Sequence, residues 1–202
     1  MDNGYFKYYK EKLLISLLVS LGILIFLAKD YWKLSVSIIA LISSLLFIID
    51  KWLWKMKVFK HLFWVDDFSG TYKGSIEYEF ADSNGIIQKG KLKQKKVIHQ
   101  TGSRIKIWTF TIKDDGSKSS ESESIAISVK KLDGKQYQLI YSYENKGNSE
   151  LAPHYGTEII KFIRKKDNKY LSGKYFTERL PYQTKGTFTD MKWISNSQTH
   201  EF

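Results

Sequence analysis

The stretch GTYKGSIEYEF, residues 70–80, alternates with a period of two. As a β-strand it puts Tyr72, Gly74, Ile76, Tyr78 and Phe80 on one face and Lys73, Ser75, Glu77 and Glu79 on the other. One face suits an interior and the other suits water, which is the pattern of an antiparallel sheet. Working outward, the same texture runs from residue 70 to 193, rich in Tyr, Ile, Thr and Lys, with a turn signal about every dozen residues. DSNG (82–85), TGS (101–103), LDG (132–134), KKDN (165–168) and LPYQTKG (180–186) read as turns or short loops. KDDGSKSSESES (113–124) and ENKGNSELAPH (144–154) read as longer polar loops, the first of them mobile.

Eight strands are therefore expected, at 70–80, 87–99, 104–113, 123–131, 136–144, 155–165, 169–178 and 184–193. The fourth should send Ile125, Ile127 and Val129 inward, and the fifth Tyr137, Leu139, Tyr141 and Tyr143. Eight short strands joined locally fit an up-and-down, lipocalin-like antiparallel barrel, filled by side chains or holding one small ligand. A two-sheet sandwich is the alternative. The barrel is preferred because connections are short and because a dry sandwich core would avoid so many phenol hydroxyls.

The first 60 residues differ. Two uncharged apolar runs, LLISLLVSLGILIFLA (13–28) and LSVSIIALISSLLFII (34–49), are separated by KDYWK (29–33). Each is slightly shorter than a bilayer core, and aromatic flanks (Tyr8, Tyr9, Tyr31, Trp32, Trp52, Trp54) complete the span as interfacial anchors. A cleavable signal peptide is disfavoured, because no small-residue cleavage site follows the first run and a second run begins five residues later. Two transmembrane helices joined by a tight hairpin are expected. Lysines gather before the first run and after the second, so both termini should be cytoplasmic. Ser37, Ala40 and Ser44, with Ser16 and Ser20, form small-residue stripes suited to close helix packing within the hairpin or between copies. No ionisable residue interrupts either run, which argues against an ion-coupled transporter. The expected domains are a membrane hairpin, 1–60, and a cytoplasmic barrel, 61–202, beyond a basic amphipathic link at 51–64.

The formal net charge is +11, and cysteine is absent, excluding disulfides and thiolate chemistry. The charge is dispersed and interleaved with acids, so DNA or RNA is not the expected partner. No Walker loop, GxSxG elbow, HExxH or paired carboxylate is present, and the acids fall mostly on outward faces or in loops. No catalytic residues, metal ligands or cofactors are expected.

What the interior offers is polar and aromatic. In YLSGKYFTER (170–179), Gly173, Tyr175, Thr177 and Arg179 share one face, opposite Tyr141 and Tyr143 on the fifth strand. HQTGSR (99–104) adds Gln100 and Arg104, and HYGTE (154–158) adds His154 and Thr157 beside Gly156, where a ligand could approach the backbone. Tyrosine rings can stack on a base and arginine can grip a phosphate. The plainer reading makes the tyrosines barrel lining, the arginines salt-bridge partners and the glycines strand bends. Together these groups favour an anionic aromatic ligand. A membrane-tethered carrier or sensor of a fatty acid or lipid, and a scaffold with a filled barrel, remain the alternatives.

FSGTYKG (68–74), IHQTGSRIKI (98–107), LIYSYENK (139–146), HYGTE (154–158) and LSGKYFTER (171–179), in this order behind a membrane hairpin, resemble the two-transmembrane, β-strand-rich effectors of bacterial cyclic-oligonucleotide antiphage signalling, CBASS. The resemblance implies a barrel that binds a cyclic di- or trinucleotide, a ligand-induced homo-oligomer, and disruption of the inner membrane bilayer that kills the infected cell. It makes Gln100, Arg104, Tyr143, His154, Tyr175, Thr177 and Arg179 candidate ligand contacts, beside Tyr141 and Thr157 from the face reading.

Overall fold

The structure is a computed structural model that describes residues 4–32, 37–147, 152–179 and 183–202. The chain divides into two compact units, residues 1–67 with 100–104, and residues 68–99 with 105–202.

In the first unit, α1 (Glu11–Trp32) is followed by α2 (Ile38–Ile48), which runs on as a π-helical turn (Ile49–Leu53), and by the short α3 (Lys57–Lys60). Over Glu11–Ala28, α1 is long and apolar enough to cross a membrane, and its side chains are almost all exposed. It is the one such helix among the described residues. The second apolar run gives the shorter α2 and its extension, so the expected pair of spanning helices is met by one helix of spanning length.

The expected turn at 29–33 falls on helix over its described part. Residues through Trp32 continue α1, because nothing in Lys29–Asp30–Tyr31–Trp32 breaks a helix; Lys33 lies outside the described residues. Ser37 is the N-cap of α2, accepting from the Ala40 amide at 3.5 Å.

Three of the expected interfacial aromatics are buried instead. Tyr9 bridges to Phe63 with ring centroids 4.4 Å apart, Tyr8 meets Trp64 edge-on at 5.9 Å, and Trp54 lies 6.4 Å from Phe63. Backbone bonds from Lys10 to Leu62 and from Trp64 to Tyr8 lock the start of the chain to the segment after α3. The Gly102 amide donates to the Asp50 carbonyl, and Gln100 Nε2 donates to the Asp66 carbonyl.

In the second unit, eight strands close into an antiparallel barrel in sequence order: β1 (Gly70–Ala81), β2 (Ile87–Gln100), β3 (Ile105–Ile112), β4 (Lys118–Lys131), β5 (Gln136–Asn145), β6 (His154–Lys165), β7 (Asn168–Thr177) and β8 (Thr184–Ser195). Closure comes from β1 pairing with β8, for example Tyr78 with Gly186. Closing the ring leaves no unpaired sheet edge. The expected loops at 144–154 and 180–186 include residues 148–151 and 180–182, which lie outside those described.

The expected mobile loop at 113–124 is mostly strand. The turn is confined to Asp115 and Gly116 (φ +87°), with Asp115 Oδ1 accepting from the Ser117 amide, and β4 begins at Lys118. Serine is a weak strand former, so the alternation of Ser120, Ser122 and Ser124 with Glu121 and Glu123 mimics a loop when it actually faces a polar lumen. A register shift between Ser124 and Ala126 then turns Ile125 outward, leaving Ile127 and Val129 as the inward pair.

One end of the lumen is sealed by apolar packing. Phe68, fully buried, meets Phe162 at 4.8 Å and Tyr137 at 5.3 Å, over Leu139, Ile160, Leu171 and Met191. Tyr72 donates its hydroxyl to the Phe68 carbonyl at 2.6 Å, and the buried Lys169 donates to the Ser69 carbonyl at 2.7 Å. On the outside, residues 196–202 strap across the wall. Thr71 Oγ1 donates to the Ser197 carbonyl, Lys95 Nζ donates to the Glu201 carbonyl, and His200 and Phe202 cover the outward-facing Phe110.

Glu121 anchors that strap. It lies 2.8 Å from His200 Nε2, 2.6 Å from Lys146 Nζ and 3.0 Å from Lys118 Nζ. Burial pushes its carboxyl up, but the hydrogen bonds from Lys146, Lys118 and His200 outweigh burial and hold it at about 2, below its ordinary 4.5. A depressed carboxylate stabilises the fold fully above its unfolded pKa and loses that contribution as pH falls toward the folded value. Glu121→Gln should therefore cost about 1–2 kcal/mol near neutral pH, counting screening of the half-exposed lysines, and the deficit should vanish between pH 4.5 and 2. Denaturant midpoints of both proteins across that range provide the check; a deficit independent of pH would show that the loss is not electrostatic.

Candidate functional site: a polar, cation-rimmed lumen

Above the apolar seal the lumen opens into a cavity of about 340 Å³. Its floor is an ion pair between two strands on opposite sides of the ring. Lys96, fully buried on β2, places Nζ 2.7 Å from Oε1 of Glu158 on β6. Lys96 also donates to Thr109 Oγ1 at 3.1 Å and sits 5.0 Å from the Phe188 ring centre. Tyr141 donates its hydroxyl to Glu158 Oε2 at 2.6 Å. Burial pulls the Lys96 ammonium below its ordinary pKa, opposed by Glu158, which favours the charged form. Burial, and then the Glu158 charge, raise the Tyr141, Tyr143 and Tyr175 phenols, so all three stay protonated donors.

The walls are tyrosines seated on glycines. Tyr78 lies directly opposite Gly90, Tyr143 opposite Gly156, and Tyr175 opposite Gly186. At each glycine an added Cβ would strike the paired tyrosine ring, so the missing side chain is what lets each ring lie flat against the neighbouring strand. Gly156 is thus covered by Tyr143 and does not offer bare backbone to a ligand, contrary to the sequence expectation. Gln94 and Thr184, both more than nine-tenths buried, border the cavity with Gln94 Oε1 and Thr184 Oγ1 making no hydrogen bond among the described residues.

Cations mark the rim. Lys113 follows β3 and Arg179 follows β7, two strands on opposite sides of an eight-strand ring, and His154 opens β6. The Thr177 hydroxyl accepts the Thr184 amide at 3.0 Å and the Arg179 amide at 3.4 Å, which fixes the backbone that carries Arg179. No ion pair among the described residues holds the Arg179 guanidinium. A broader groove of about 630 Å³ crosses the outer wall, but most of its charges are paired at the surface, Lys91 with Glu77 and Lys89 and Lys185 with Glu79. Exposed pairs of that kind make a poor ligand site.

Of the nine residues singled out from sequence, Tyr143, His154, Tyr175, Thr177 and Arg179 border one cavity. Tyr141 lies one layer below, bound to Glu158. Thr157, between the inward Gly156 and Glu158, is on the outer face beside Ser142 and Phe176. Gln100 and Arg104 belong to the first unit, Gln100 on the Asp66 carbonyl and Arg104 exposed on the β2–β3 turn. Sequence reasoning missed Gln94, Lys96 and Glu158. Their signal was the alternation itself: Leu92, Gln94, Lys96 and Ile98 share a face, as do Gly156, Glu158, Ile160 and Phe162. Glu158 is an inward exception among acids expected mostly on outward faces or in loops.

A closed barrel with a plugged base, an aromatic polar lumen and an electropositive mouth is the architecture of a small-ligand receptor. More narrowly, residues 63–192 match the family described as "Cap15, cyclic dinucleotide receptor domain". The match spans well over half of the chain, and the chain belongs to that family. No curated protein and no solved structure matches it.

The floor pair should behave as a unit. Lys96→Met alone leaves a buried carboxylate without its counter-charge and should cost about 3–5 kcal/mol, whereas Lys96→Met with Glu158→Leu should recover most of that loss. Urea unfolding followed by tryptophan fluorescence measures both; equal losses in the single and double variants would mean that packing, not charge, is at stake.

Proposed function

We propose that this protein is a membrane effector of CBASS antiphage defence, whose lumen binds a cyclic dinucleotide. The observation that carries the reading is the pairing of tyrosine walls with cations on opposite sides of one mouth. A cyclic dinucleotide presents two aromatic bases and two phosphates, which suit stacking surfaces and two separated cations. Family membership supports the same ligand class. The site acts by binding alone, without catalysis.

In this reading α1 and the apolar α2 with its π-helical extension form a two-helix anchor in the inner membrane, with lysine-rich flanks and both termini in the cytoplasm. Ligand binding gathers copies of the chain, and the assembled helices break the bilayer. A carrier or sensor of fatty acids or lipids shares the barrel form, but Gln94, Lys96 and Glu158 make the inside of this lumen polar.

The test is thermal unfolding of the full chain in detergent micelles with cyclic di- and trinucleotides and with fatty acids, since a ligand that binds the native state raises its melting temperature. A cyclic dinucleotide should raise it, and fatty acids should not. Arg179→Ala should weaken cyclic dinucleotide binding about 10-fold or more through loss of a charge-assisted contact, at unchanged melting temperature of the free protein. Stabilisation by fatty acids alone would replace the receptor reading with the carrier.

A further inference from the structure

The cavity has two chemically different poles. Its rim carries Arg179, Lys113 and His154; its depth carries oxygen acceptors. Glu158 Oε1 and Oε2 face Lys96 and Tyr141, and each carboxylate oxygen has a further lone pair. Gln94, 6% exposed, contributes a buried carbonyl oxygen with no donor among the described residues. Two donors against the floor, the Lys96 ammonium and the Tyr141 hydroxyl, are already committed to Glu158 and Thr109. A buried acceptor left unmet costs free energy, and a ligand that supplies the donor gains it back.

Resting on the receptor reading above, we infer that the lumen seats one nucleotide base-first, with the phosphates at the rim, and that Gln94 and Glu158 select a base carrying an exocyclic amine. Adenine, guanine and cytosine each present an N–H₂ group to acceptors of this kind. Uracil presents O4 in that place and flanks its single N–H with two carbonyls, so it would set acceptor against acceptor. The rim contacts hold phosphate whatever the base, in the manner of backbone contacts that position without specifying. Thr184 lies along the wall at the start of β8, and its unpartnered hydroxyl both donates and accepts. It therefore adds affinity without preference. Gln94 and Glu158 specify; Arg179 and Thr184 retain.

Calorimetric titration of the full chain in detergent with cyclic di-AMP, cyclic di-GMP and cyclic di-UMP tests the assignment. One of the amino-base messengers should bind at least about 10-fold more tightly than cyclic di-UMP, because a site built to receive an N–H rejects a ligand lacking it. Gln94→Met removes the unmet acceptor at similar length. It should shrink that ratio several-fold and leave the melting temperature of the free protein unchanged or higher, a result that a merely structural role would not give. Thr184→Val and Arg179→Ala should weaken all messengers by a common factor and leave the ratio unchanged. Cyclic di-UMP binding as tightly as the others, or a ratio unaltered by Gln94→Met, overturns the inference while leaving the receptor reading intact. Absence of binding by every cyclic dinucleotide overturns both.

Discussion

The ion pair between Lys96 and Glu158 is the constraint around which the barrel is organised. Two charges withdrawn from water are tolerated when each offsets the other and further hydrogen bonds support them. Here Lys96 also donates to Thr109 and Glu158 also accepts from Tyr141, so β2, β3, β5 and β6 are tied together around one pair. Below that pair the lumen is sealed by Phe68, Phe162 and their aliphatic neighbours, and above it the walls turn polar. The pair thus acts as a partition. It marks the depth of the polar cavity, and burial there, with the Glu158 charge second, raises the Tyr141, Tyr143 and Tyr175 hydroxyls.

The first unit solves a different problem with aromatics. The start of a helix of spanning length is fixed here by packed rings. Tyr8 and Tyr9 clasp Phe63 and Trp64 from the far side of the helical segments, closing a knot across more than fifty residues of sequence. Such aromatics in sequence look like an interfacial belt, because composition cannot tell a ring that meets lipid from one that meets another ring. Asp50, buried in the π-helical turn, accepts the Gly102 amide at its carbonyl.

The barrel was legible because alternation reports faces. The pattern in β1 placed Tyr72, Ile76 and Tyr78 inward, and the same rule in β7 brought Tyr175, Thr177 and Arg179 to the cavity. Alternation does not report depth, which is why Tyr141 and Tyr143 looked equivalent although one lies beneath the floor and the other above it. Nor does it survive a bulge, so Ile125 was assigned to the wrong face. Lys96 and Glu158 escaped notice for a thermodynamic reason: charged residues are so seldom fully buried that an inward position reads as a surface one. The serines of β4 escaped because a polar lumen asks for residues that elsewhere signal a loop.

The glycines opposite Tyr78, Tyr143 and Tyr175 carry a consequence for how such a receptor can diverge. Each ring rests where a neighbouring strand lacks a side chain, so the calibre of the lumen is written in positions that touch no ligand. A single methyl at Gly90, Gly156 or Gly186 would tip one ring off the wall and narrow the bore, while every ligand-facing side chain kept its identity. Related barrels can therefore keep the same visible contact residues and still admit guests of different girth. Comparing their pockets residue by residue would miss the change, because it lies in the strand next door.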